Sequence, residues 1–180
     1  IKAETNDILN IEQDSKKYIS TEMLFNMQAV EILNKDNKQD IQLIVPENAK
    51  NISEYIKLEN RKTSEKYSLD QDGIIITEKL SKLLNIKQGD KITIKNAEEK
   101  QAEVEVKGIT KNYLMHYMYI SPESYKKIFG EEAQYNTLLA IEPKDIKESE
   151  EMENQLGKKI LENKNISKVT FTSQTKSIFD

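Results

Sequence analysis

The chain has 180 residues, enough for one domain with a substantial core; 37% are hydrophobic and 32% charged, the composition of a folded body with a heavily solvated surface. Its 27 basic residues against 31 acidic ones give a net charge of −4, and with a single arginine, Arg61, there is no basic stripe to track phosphates, which argues against nucleic acid as a partner. No cysteine means no disulfide, no thiolate nucleophile and no cysteine-ligated metal. The longest apolar runs, such as Ile74-Ile75-Ile76, fall far below the roughly 18 residues needed to cross a bilayer. The chain opens on Ile1 and ends on Ser-Ile-Phe-Asp, and it is expected to be a piece of a longer polypeptide.

Residues 1 to 20 carry no clear pattern. From Gln28 the period becomes two, with Val30 and Ile32, then Ile41, Leu43 and Val45 up to Pro46, and the polar stretch 34–40 reads as the turn of a β-hairpin. Between Asn51 and Tyr67 the apolar positions fit a helical turn or an irregular strand equally well. Asp72-Gly73 signals a turn, and Ile74–Ile76 is a short buried strand. Thr77 suits a helix N-cap, Glu78 the first turn, and Leu80, Leu83 and Leu84 an inward stripe, with Asn85 stopping the helix in the left-handed conformation. Gly89-Asp90 supplies another turn before Ile92 and Ile94, which pair with Ala102, Val104 and Val106 in a second hairpin, and Gly108 invites a bulge.

The stretch NYLMHYMYISPESYKKIF, 112–129, holds four of the eight tyrosines and the single histidine. Tyr113, Met115, Tyr117 and Tyr119 fall on one face of a strand, and Leu114, His116, Met118 and Ile120 on the other, so both faces are bulky and both are covered. Ser121-Pro122 then starts a helix whose stripe is Tyr125, Ile128 and Phe129 and whose stop is Gly130. Residues 135–141 read as a strand, and 145–163 as a helix weakened by Gly157, which costs about 1 kcal/mol against alanine. Val169 and Phe171 read as a last strand. Strands and short helices in mixed order with several hairpins define an α+β fold with a mixed, mostly antiparallel sheet.

Catalytic signatures are missing. Acyl transfer needs an oriented base beside a nucleophile, and the one imidazole, His116, sits in a strand of large side chains, where a packing role is the plainer reading. Zinc needs several His or Cys ligands, and the acidic runs lack the calcium-loop pattern. The five glycines are dispersed and form no nucleotide cradle. No cofactor is implied.

Two runs carry a family resemblance: NISEYIKLENRKTSEKYSLDQDGIIITEKLSKLLNIKQGDKITIKN, and AEVEVKGITKNYLMHYMYISPESYKKIFGEEAQYNTLL. Together, from Asn51 to about Thr137, they resemble the extracytoplasmic domain of FtsX-like permeases of the MacB type, most tellingly in GIIITEKLSKLLNIKQGDKITI at Gly73–Ile94. NYLMHYMYISPESYKKIFG sharpens the similarity toward the large permeases of low-GC Gram-positive bacteria, and FTSQTKSIFD resembles the segment leading into the next membrane helix. The resemblance implies a MacB-like periplasmic core domain: one extracytoplasmic domain over 1–180, with a hairpin-bearing N-terminal part (1–70) and a core part (71–180) leading to a membrane helix.

It further implies a non-catalytic part of an ABC transporter permease at the cell membrane, on its extracellular side. The cytoplasmic ATPase subunit would be a partner through flanking membrane helices in a membrane-embedded assembly compatible with a dimer, and an extracellular peptide, lipoprotein or cell-wall protein the other partner. No catalytic, cofactor or metal residue comes with it. The alternative reading is an extracellular ligand-sensing domain that captures a peptide antibiotic or lipid, with Tyr113, Tyr117, Tyr119 and His116 as contact residues, because tyrosine joins a large apolar face to a polar tip. A cavity of several hundred cubic ångströms lined by those side chains would favour it; a closed core there favours the permease domain.

Overall fold

In a computed structural model, residues 21–34, 37–69, 72–111, 117–141 and 149–171 are described. Residues 23–137 form one compact unit, and the described residues from 138 onward belong to another.

The larger unit is built on six strands, the first entering it at Met23: β1 (Thr21–Asn34), β2 (Asn37–Pro46), β3 (Ile74–Thr77), β4 (Lys91–Lys95), β5 (Gln101–Thr110) and β6 (Tyr117–Ile120). Their lateral order is β2-β6-β3-β5-β4-β1, and β1 also pairs with β2, so these six strands close on themselves as a barrel. Four of the six pairings are antiparallel; β2 with β6 and β3 with β5 are parallel. The mixed, mostly antiparallel α+β expectation is met, and closure is what the local periodicity left undetermined.

Alternate residues of every strand meet inside. Val30 and Ile32, Ile41, Leu43 and Val45, Ile74 and Ile76, Ile92 and Ile94, Val104 and Val106, and Met118 and Ile120 form one buried cluster. Period-two patterning thus places β-branched side chains at the barrel centre. Helix α1 (Glu78–Leu84) adds Leu80 and Leu84 to that cluster, and helix α2 (Pro122–Phe129) adds Tyr125 and Phe129, whose rings lie 5.0 Å apart. Leu83, expected to point inward, is 52% exposed. In a seven-residue helix with Leu80 and Leu84 one turn apart facing the core, a residue one step from Leu84 is rotated roughly 100° away.

The N-caps differ. Ser121 accepts a hydrogen bond from the Ser124 N–H at 3.0 Å, and Pro122 follows at the first helical position, as expected. Thr77 occupies the cap position of α1 with extended backbone, but its side chain makes no cap bond, and its buried hydroxyl has no hydrogen-bond partner among the described residues. Asn85 (φ 52°) and Gly130 (φ 76°) end the two helices in the left-handed conformation.

The first hairpin is longer than its hydrophobic pattern suggests. Strand pairing runs from Phe25↔Pro46 to Asn34↔Asn37, through most of the stretch read as a turn. Backbone ladder bonds continue wherever two strands stay adjacent, whatever the polarity of their side chains. The second hairpin has the expected register, Ile92↔Val104 and Ile94↔Ala102.

The bulge expected at Gly108 is present: Ile74 faces Val106 and Ile75 faces Gly108, so Lys107 is the extra residue of β5. It shifts the phase of β5, and Ile109 rather than Gly108 packs against the barrel core. Asn51–Tyr67 resolves into a single 3-10 turn at Ile52–Glu54 and an isolated bridge between Glu59 and Lys66. Ile52, Leu58 and Leu69 along this connection are nonetheless buried.

Strand β7 (Thr137–Ile141) starts on the last residue of the larger unit, and helix α3 (Glu150–Leu161), capped by Ser149, lies in the smaller one. Leu156 is buried, while Met152 and Leu161 are exposed. Ile146 and Pro143 lie outside the described residues. A Cβ added at Gly157 would stand 3.2 Å from the Phe171 ring. The glycine that weakens the helix is therefore what lets the ring approach. Val169 and Phe171 are not in a strand; residues 166–171 follow an irregular path.

Candidate functional site

Of the four residues proposed for contact, Tyr113 and His116 lie outside the described residues. Strand β6 positions the other two. Tyr119 is 1% exposed and faces away from the barrel interior, flanked in register by Ile44 of β2 and Ile75 of β3, both buried. Its ring is buried among them. Tyr117 is half-buried and meets Tyr119 edge to face, ring centroids 6.3 Å apart. Burial pushes the Tyr117 phenol above its ordinary range. In β6 both faces carry buried side chains: Met118 and Ile120 lie in the barrel, and Tyr119 is buried on the opposite face.

Tyr119 belongs to a row of registered residues across four adjacent strands, Ile44, Tyr119, Ile75 and Gly108. At its end the Tyr67 ring sits on Gly108, where an added Cβ would lie 2.8 Å from ring carbons. The connection is fastened nearby by Thr110, whose hydroxyl accepts from the Glu59 N–H at 3.0 Å, and by the Lys111 N–H, which donates to the Glu59 carbonyl at 2.9 Å. Arg61 pairs with Glu78 of α1 at 2.7 Å.

Two hollows open beside this region. One, about 190 Å³, is lined by residues including Asp72, Gly73, Glu103, Lys107, Ser124 and Lys127. The other, about 470 Å³, includes Lys66, Tyr67, Ile75, Gly89, Glu105 and Lys107. Neither is lined by Tyr117 or Tyr119. Lys107 borders both, its side chain running past Gly73, whose missing Cβ (φ 118°) would fall 2.7 Å from the Glu105 carbonyl oxygen.

Several of the charges around these hollows are paired with one another. Lys107 pairs with Glu105 at 2.8 Å, Lys91 with Glu103 at 3.1 Å, and Lys127 with Asp72. The Lys127 hydrogen bond is the main reason the Asp72 carboxyl is held below its ordinary range, and the Ser124 hydroxyl adds to it. Among the described residues no group of three or more His, Cys, Asp or Glu is placed to hold a metal, and no helix is long and apolar enough to cross a membrane.

A polar cluster with no signature in the sequence lies on β1. The buried Asn26 donates to the Gln134 carbonyl and accepts from Gln28 at 2.9 Å; Gln28 also donates to the Tyr125 hydroxyl at 2.9 Å. Asn136 bonds Met27 through its side chain. Isolated amide side chains have no periodicity to mark them in sequence.

No protein-family model matches the chain, and no curated protein matches it in sequence. Solved structures do. The extracellular domain of the noncanonic ABC-type transporter YknZ from Gram-positive bacteria is similar with a TM-score of 0.52 at 17% identity, over 86% of this chain and 78% of that one. The periplasmic region of MacB from Actinobacillus actinomycetemcomitans is similar with a TM-score of 0.50 at 11% identity, over 96% of this chain and 81% of that one. These likenesses show that the chain has the fold of extracytoplasmic domains of ABC transporters of the YknZ and MacB type, the fold expected from its sequence.

Proposed function

We propose that this chain is the extracellular domain of an ABC transporter permease subunit, that residues 1–180 act as one extracytoplasmic domain, and that it works without chemistry of its own. It transmits ATP-driven conformational change from flanking membrane helices and contacts a peptide, lipoprotein or cell-wall protein outside the membrane. The observation that carries the reading is the shared fold over 86% and 96% of the chain with two such domains. A closed barrel filled by branched aliphatic side chains suits the task, because a close-packed body of low compressibility passes displacement on instead of absorbing it.

The competing ligand-sensing reading loses its support where it can be checked: Tyr119 is in the core, and neither hollow is lined by Tyr117 or Tyr119. The test uses the absence of cysteine. Lys50 and Glu98 are exposed, so Lys50→Cys and Glu98→Cys, placed singly in the full-length protein in an otherwise cysteine-free background, should react with a membrane-impermeant maleimide in intact cells. The full-length protein should also co-purify with an ABC ATPase subunit. Labelling only after the cells are permeabilised, or purification with no ATPase, would overturn the proposal.

A further inference from the structure

Between β2 and β3 the chain folds back on itself at residues 58–67. Glu59 faces Lys66 in an antiparallel bridge, and the Tyr67 N–H donates to the Leu58 carbonyl at 2.8 Å. Leu58 is buried and the Tyr67 ring lies on Gly108, so one side of this short pair of extended segments packs on the protein. The other side, carrying Glu59 and Lys66, turns away from it. Lys57, two residues before Glu59, shares that outer side and is exposed. Lys111 arrives from just past β5: its N–H donates to the Glu59 carbonyl at 2.9 Å, and its ammonium pairs with the Glu59 carboxylate.

Three lysines are thus gathered around one carboxylate. The Lys111 hydrogen bond, and then the charges of Lys111, Lys57 and Lys66, hold the Glu59 carboxyl below its ordinary range, the effect of several cations sharing one anion. Neither Lys57 nor Lys66 forms an ion pair of its own among the described residues. Glu65, exposed beside Lys66, offsets one further charge and still leaves this face positive, in a chain whose net charge is −4. Mutual repulsion among the lysines is relieved when an anion from outside joins them.

The arrangement also selects the kind of anion. A compact dianion such as phosphate, seated midway among the three ammonium groups, would lie against the Glu59 carboxylate. Carboxylates carried at alternate residues of an extended polypeptide, about 7 Å apart, reach Lys57 and Lys66 separately without approaching Glu59.

We propose that Lys57, Lys66 and Lys111 form a docking patch for an acidic segment of a protein partner. That this segment belongs to the extracellular partner of a permease rests on the reading above; the patch itself does not.

NMR of the 180-residue chain titrated with an oligoglutamate peptide tests the patch without cells, membranes or an ATPase. The amides of Lys57, Lys66 and Lys111 should shift, and the shifts should fade as salt rises from about 0.01 M to about 1 M and the screening length drops from about 30 Å to about 3 Å. Lys57→Glu combined with Lys66→Glu should weaken binding about tenfold. Lys50→Glu combined with Lys158→Glu makes the same change in net charge at exposed lysines elsewhere and should weaken it far less. Absence of shifts at the three lysines, equal weakening by the two double variants, or equal binding of an oligoglutamine of the same length overturns the proposal. Tighter binding at the same amides by inorganic phosphate or by phosphatidylglycerol vesicles than by oligoglutamate also overturns it. Should the Lys57→Glu, Lys66→Glu protein not fold, the salt and oligoglutamine comparisons on the native chain decide the matter. A negative result here leaves the cell-surface labelling and the ATPase co-purification standing, and their failure leaves the patch standing.

Discussion

The Tyr67 ring rests on Gly108 so closely that a Cβ there would be 2.8 Å from two of its carbons. The contact joins an irregular connection to the one bulged position of the barrel and places a large aromatic against bare backbone at the end of the Ile44–Tyr119–Ile75 row. Gly108 does not have a left-handed backbone, so the restriction on it is steric and belongs to Tyr67.

Gly108→Ala should therefore destabilise the protein by about 1–3 kcal/mol through overpacking. In a Tyr67→Ala background the same change should be neutral or stabilising by up to about 1 kcal/mol, since the unfolded chain loses freedom and nothing is displaced. Urea unfolding of the four proteins gives the coupling energy directly. An equal cost of Gly108→Ala in both backgrounds would show that the ring is not what excludes the methyl group.

The two leucines of α1 should separate sharply. Leu80 has no exposed surface and lies in the barrel cluster, so Leu80→Ala should cost about 2–5 kcal/mol; Leu83→Ala, at an exposed site, should stay within about 0.5 kcal/mol of the parent. Thermal or urea denaturation decides it, and comparable losses at both positions would refute the placement of Leu83.

Tyr119 is the third case, because a contact residue and a core residue fail differently. Tyr119→Ala should cost about 3–5 kcal/mol, as truncation of a buried aromatic does. A variant of undiminished stability that has lost only a binding property would return Tyr119 to the role of surface contact.

The pairing of Glu78 with Lys82 and Arg61 predicts a pH dependence. Hydrogen bonds from Lys82, then from Arg61, hold the Glu78 carboxyl below the ordinary glutamate value of 4.5. A depressed folded-state pKa makes the contribution fully present above 4.5 and lost as pH falls through the lower folded value. The stability difference between the parent and Glu78→Gln should thus be largest near neutral pH, shrink as the pH falls below 4.5, and shrink with added salt because the Arg61 and Lys82 side chains are exposed. A difference that is flat from pH 7 to pH 3 would exclude the linkage.

Much of the local structure is legible in the sequence because its physics is local. Alternation at Val30–Val45, Ile92–Val106 and Met118–Ile120 names strands and their inward faces; Ser121-Pro122 and Gly130 bracket α2; Asn85, Gly73 and Gly89 mark places where only a small or locally bonded residue takes positive φ. The candidate site was less legible, because whether a tyrosine is a platform or a packing residue depends on its surroundings, and Tyr119 is buried with neighbours brought beside it from distant segments, Ile44 and Ile75.

By itself, then, the sequence determined strand periodicity, helix ends, turns and a charged, cysteine-free surface, all set by backbone sterics and by neighbours within a few positions. Only the tertiary structure decided that the six strands close into a barrel, that Leu83 faces water, that Lys107 pairs with Glu105, Lys91 with Glu103 and Lys127 with Asp72 beside the hollows, and that the Asn136 side-chain amide bonds the Met27 backbone. Each of these depends on which remote atoms come within bonding or packing distance, and Asn136 and Met27, 109 positions apart, meet only when the chain has folded.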